Sequence, residues 1–158
     1  MPSFRTTRRN PHTPEEMFEL VADVERYPEF LPLCTGLRVI KRTQDGEGRE
    51  TLVAEMSVGY RSIAERFTTR VVLDRRALDI HVSYIAGPFR YLENRWEFRP
   101  GESGGCAVHF SIEYEFRSMA LGLVMGAMFD RAFRRFTEAF ETRAKEVYRR
   151  EAVPKAGA

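Results

Sequence analysis

The chain is 158 residues long, 43% hydrophobic and 30% charged, with a net charge of +2. That size suits one domain burying about two thirds of its unfolded surface, and the composition excludes a disordered chain. The charge gives no case for DNA, no apolar run approaches the roughly 20 residues of a membrane span, and the N-terminus MPSFRTTRRNP lacks a signal-peptide core.

Residues 3–10 alternate weakly and read as a first strand. Arg5, Arg8 and Arg9 cluster there, a mild attraction for an anionic surface such as membrane or RNA. In NPHTPEEMFELV, Thr13 is placed to cap a helix, Pro14 takes its first position and Glu16 follows three after the cap. Met17, Leu20, Val21 and Val24 continue at helical spacing. The helix then meets VADVERYPEFLPLC, where Pro28 and Pro32 stiffen the backbone. They are expected to hold Tyr27, Phe30 and Leu31 in non-helical geometry against a definite apolar target.

From Leu37 the period becomes two. Segments 37–43 and 50–58 flank QDGEG as a hairpin, and further strands read at 61–73, 78–85, 91–98 and 106–116. In the last, Cys106, Val108, Phe110, Ile112, Tyr114 and Phe116 share one face and His109, Ser111, Glu113 and Glu115 the other. Such a half-dry sheet needs a cover. A helix of about 30 residues, about 45 Å long, supplies it through Leu121, Val124, Met125, Met128, Phe129, Ala132, Phe133, Phe136, Phe140 and Ala144. Arg131, Arg134, Arg135, Glu138 and Glu141 oppose them, with Asp130/Arg134 and Glu141/Lys145 spaced for pairing. Residues 1–150 thus form one domain and 151–158 a disordered tail. The class is α+β: a curved antiparallel sheet of six to seven strands wrapped around a long C-terminal helix, with short helices after strand 1 and space left between sheet and helix.

No GxSxG, HExxH, P-loop or supported GxGxxG is present. Cys34 and Cys106 show no CxxC spacing, which argues against a zinc site or disulfide framework and fits a reducing cytoplasm. His81 and His109 fall on solvent-side parity, and His12 reads as a capping neighbour. Two strands carry polar residues on an apolar face: Glu65 and Thr69 beside Ile63, Phe67, Val71 and Leu73, and Asn94 beside Leu92, Trp96 and Phe98. Either a β-bulge turns Glu65 outward, or Glu65 and Asn94 hydrogen-bond a polar ligand head. From Met119 to Phe129 there is no charge on any side. This stretch is either core or a greasy pocket mouth that touches lipid; Gly122 and Gly126 would permit close backbone approach, and Met119, Met125 and Met128 would suit an adaptable ligand wall.

LVADVERYPEFLPLC, GPFRYLENRWEF and FDRAFRRFTEAFETRA, in this order, resemble the coenzyme Q-binding family of START-like domains within the polyketide cyclase/START-like superfamily. The bacterial ribosome-association toxin family shares this signature. The resemblance covers the chain from about Phe4 to Tyr148. It implies a helix-grip fold with a hydrophobic tunnel, closed at one end by the proline corner, and non-catalytic binding of ubiquinone in support of respiratory electron transport. The expected ligand is an isoprenoid quinone, with no catalytic cofactor and no metal. The expected location is cytoplasmic, peripheral at the inner face of the respiratory membrane. Candidate cavity residues are Tyr27, Phe30, Leu31, Glu65, Phe67, Asn94, Trp96, Phe110, Ile112, Met125, Met128, Phe129 and Phe133. Met119, Leu123, Arg131, Arg134 and Arg135 are candidates for a membrane or ribosome surface. The alternatives are a ribosome-associated inhibitor of translation and a polyketide cyclase or aromatase.

Overall fold

The computed structural model describes residues 3–148, so the tail read at 151–158 lies outside the described residues. The elements are β1 (Ser3–Asn10), α1 (Pro14–Ala22), a 3-10 helix (Val24–Glu29), β2 (Cys34–Gly46), β3 (Arg49–Tyr60), β4 (Ile63–Asp74), β5 (Asp79–Ala86), β6 (Phe89–Pro100), β7 (Cys106–Phe116) and α2 (Met119–Val147). The strands form one curved open sheet in the order β1-β7-β6-β5-β4-β3-β2. Every neighbouring pair is antiparallel. Six consecutive strands meander because short turns suffice to reverse them, and β1 returns to the far edge, where Phe4 faces Ile112 and Arg8 faces Val108.

Local chemistry sets the helix ends. The Thr13 hydroxyl accepts from the Glu16 amide at 3.0 Å while the Glu16 carboxylate accepts from the Thr13 amide at 2.9 Å, a complete capping box ahead of Pro14. The proline corner is helical at Tyr27, contrary to expectation, because Val24–Glu29 form a 3-10 helix with Pro28 inside it, the second of the short helices expected after strand 1; Phe30 and Leu31 lie beyond its end, as expected. A 3-10 helix of six residues, about two turns, tolerates proline because few of its amides need partners. Leu33 then takes a φ of 67°, which swings the chain into β2. His12 directly precedes the cap residue Thr13, as expected of a capping neighbour. It is buried, its amide donates to the Asn10 carboxamide oxygen at 3.0 Å, and its ring lies 5.5 Å from that of Tyr148.

The inner face of the sheet buries Leu52, Leu73, Ile80, Phe98, Phe110, Ile112 and Tyr114, as the alternation in 106–116 predicts. α2 lies over β7 and β1 and against α1, away from the middle of the sheet. Arg8 and Glu141 pair at 2.6 Å across β1 and α2, in place of the expected Glu141/Lys145 pair. Arg8 therefore points to the helix side while Arg5 and Arg9 are exposed. Asp130 and Arg134 pair as expected, at 3.0 Å.

Candidate functional site: an apolar cavity beneath the terminal helix

Because α2 sits over one half of the sheet, the other half curls up to meet it and a cavity of about 80 Å³ remains between them. Its walls are Ala54, Met56 and Val58 of β3, Phe67, Thr69 and Val71 of β4, Ile80 and Val82 of β5, Leu92, Asn94 and Trp96 of β6, and Ile112 of β7. Phe129, Ala132, Phe133, Phe136 and Phe140 of α2 roof it, and Tyr27, Leu31, Pro32 and Leu33 close one end. The roof rings meet edge to face, with Phe129–Phe133 centroids at 5.8 Å and Phe133–Phe136 at 5.3 Å. The volume is well below the roughly 300–1,000 Å³ of ordinary small-molecule pockets. A ligand must therefore displace roof side chains as it enters.

The closed end is held in several ways. Tyr27 and Phe30 stand edge-on to Phe140 with centroids at 5.3 and 5.1 Å. The Tyr27 hydroxyl donates to the Val21 carbonyl, and burial pushes its pKa up. Glu29 accepts from Arg26 at 3.0 Å and from Arg143 of α2. These two guanidinium groups hold its carboxyl below the ordinary carboxylate value. Arg143 also lies 5.1 Å from the centre of the Phe30 ring.

The structure brings Tyr27, Leu31, Phe67, Asn94, Trp96, Ile112, Phe129 and Phe133 together in the lining. It places five other candidates elsewhere. Phe30 packs behind the closed end, half-buried. Phe110 is core between Phe4 and Trp96. Met125 is buried and Met128 half-buried, both outside the lining. Glu65 is half-buried and also outside it, although β3 and β4 pair without a register shift there, so no bulge turns it away. Strand parity gives a side chain's face but not whether it borders the cavity: Val58, paired with Glu65 across β3 and β4, lines it, while Glu65 does not. Asn94 does line the cavity, but its amide is engaged: it donates to the Ser111 carbonyl at 2.8 Å and accepts from Trp96 Nε1 at 2.9 Å. Its clearest role is to orient Trp96.

Residues missed in the sequence include Met56 and Val58 on β3, and Phe136 and Phe140 toward the far end of α2. The period-two run Leu52, Ala54, Met56, Val58 carried the signal for the first pair.

At the start of α2, Met119, Leu123 and Val124 are 86%, 84% and 63% exposed, while Met125 and Phe129 are buried. The charge-free segment therefore has a solvent face. Gly122 and Gly126 have no neighbour within 4 Å of a Cβ placed on them, so they serve no close backbone approach. Arg131, Arg134 and Arg135 are exposed, but Arg134 is held by Asp130 and lies 4.8 Å from the centre of the Phe4 ring.

No group of three or more His, Cys, Asp or Glu side chains among the described residues is arranged to hold a metal. Burial raises both the Cys34 and Cys106 thiols to about 11, so they stay protonated at neutral pH and make poor nucleophiles. No described helix is long and apolar enough to cross a membrane.

A family model described as polyketide cyclase / dehydrase and lipid transport matches residues 11–141. The Escherichia coli ribosome association toxin RatA is 34% identical over 94% of this chain and 90% of its own length. The mitochondrial coenzyme Q-binding protein COQ10 homolog B of Xenopus laevis is 31% identical over 91% of this chain and 58% of its own. Among solved structures, an 18 kDa Caulobacter crescentus protein superposes with a TM-score of 0.76 at 39% identity, covering 94% of this chain and 99% of that one. With its sheet, terminal helix and intervening cavity, this chain belongs to the polyketide cyclase / dehydrase and lipid transport family.

Proposed function

We propose that the protein is a non-catalytic carrier that takes ubiquinone, an isoprenoid quinone, into the cavity beneath α2 and exchanges it with a membrane in support of respiratory electron transport. The observation that carries this reading is the lining itself, which is apolar on every strand and on the helix apart from Thr69, Asn94 and the Tyr27 hydroxyl. Burying each CH₂ contributes about 0.8 kcal/mol, so two isoprene units match and three exceed the roughly 8 kcal/mol of micromolar binding. A bilayer offers the tail the same apolar surroundings, so transfer between the two is near neutral and exchange is easy. The narrow cavity must widen under Phe129 and Phe133 to take the ring and the first isoprene units, and the rest of a long tail protrudes from the grip.

The exposed tip of α2 supplies the membrane contact. Leu123, Ala127, Arg131 and Arg135 follow at steps of four along one side of the helix. The arginines lie about 12 and 18 Å beyond Leu123 along the axis. Met119, Leu123 and Val124 then enter the acyl boundary while Arg131 and Arg135 sit at the depth of anionic headgroups. The protein is accordingly peripheral to the inner face of the respiratory membrane.

A ribosome-associated inhibitor of translation is the second reading, favoured by the name of the Escherichia coli relative and by the same exposed arginines. A cyclase reading finds little support in the lining, where Tyr27 is the titratable side chain and its phenol is already committed to Val21. Purified protein extracted into organic solvent should release ubiquinone in near-stoichiometric amount. Lipid-free extracts together with co-sedimentation with large ribosomal subunits would contradict the carrier reading and support the second.

A further inference from the structure

We infer that the Thr69 hydroxyl is the group that recognises the ligand's oxygen, so that the cavity selects an isoprenoid bearing a ring carbonyl or hydroxyl over a bare hydrocarbon. This rests on the carrier reading above and names the polar contact within it. Thr69 lies on β4 opposite Ala54 of β3 and Tyr84 of β5, beside the register shift between Thr68 and Thr69. It is 7% exposed and lines the cavity. Its hydroxyl has no hydrogen-bond partner among the described residues, whereas Asn94, the other buried polar residue of the lining, is engaged by both Ser111 and Trp96. The orphaned polar atoms of Asn10, His12, Tyr91 and Thr137 belong to residues outside the lining.

The fold does not require this hydroxyl. Valine has nearly the same shape and a strong preference for strands, and the adjoining lining residues Ala54, Val71 and Val82 are apolar. The Thr69 oxygen is not one of the fully enclosed unpartnered atoms, so it opens on the cavity, where a ligand oxygen competes with water for a hydrogen bond that the protein leaves unmade. Because a threonine hydroxyl both donates and accepts, it serves a quinone carbonyl and a quinol hydroxyl alike. Both redox states should therefore bind with affinities within about threefold of each other.

The test titrates a short-tailed ubiquinone analogue, and an isoprenoid hydrocarbon of matched tail without the ring, into the wild type, Thr69→Val and Thr69→Ser. Thr69→Val should lose about five- to tenfold in quinone affinity with hydrocarbon affinity unchanged, and Thr69→Ser should stay within about twofold of the wild type. Thr69→Ala, which only removes atoms, gives the same comparison if valine overpacks the site. Undiminished quinone affinity in a folded Thr69→Val or Thr69→Ala protein overturns the inference and leaves the carrier reading standing. A wild type that takes neither ligand overturns both.

Discussion

The two halves of α2 have the same secondary structure and opposite environments. From Phe129 to Ala144 the helix is locked: Phe129, Phe133, Phe140 and Ala144 are buried, and Glu141 and Arg143 tie it to β1 and to the 3-10 helix. From Met119 to Val124 it offers solvent three large apolar side chains and no charge. An amphipathic helix ordinarily puts polar residues on its outer face. A helix that does so along one half only is anchored at one end and available for an apolar surface at the other.

Removing an anchor should have the largest effect. Phe140 is 1% exposed and its ring meets those of Tyr27, Phe30 and Trp96. Phe140→Ala should therefore cost about 3–5 kcal/mol in urea unfolding, and a loss below about 1 kcal/mol would mean this half is not the anchor. At the other end, Met119→Ser, Leu123→Ser and Val124→Ser combined should leave stability within about 0.5 kcal/mol per site. The same triple variant should weaken binding to vesicles containing anionic lipid by about tenfold or more. Vesicle binding equal to the wild type would remove the membrane role of this tip.

Much of this was legible in the sequence because it depends on local rules. The capping box at Thr13, the alternation from Cys106 to Phe116 and the 29-residue terminal helix each follow from spacing alone. The cavity was legible only by face. Parity put Thr69, Asn94 and Glu65 on the inner side, but which of them meets empty space depends on where α2 crosses the sheet, and no single strand encodes that. Asn94 pointed inward as expected yet is engaged by its own neighbours, a pairing set by the β6–β7 register. Thr69, the less conspicuous residue, is the one left without a partner.

The account stands on a hollow between α2 and the sheet that can admit a ring. Trp96, the single tryptophan of the chain, lines that hollow and is 4% exposed. Its fluorescence can therefore report a quinone that has entered. Titration with a short-tailed ubiquinone analogue should quench Trp96 saturably, with one quinone bound per chain, while the ring-less isoprenoid leaves the emission unquenched. Tryptophan emission that a quinone cannot quench beyond the level of free tryptophan in solution would contradict the account.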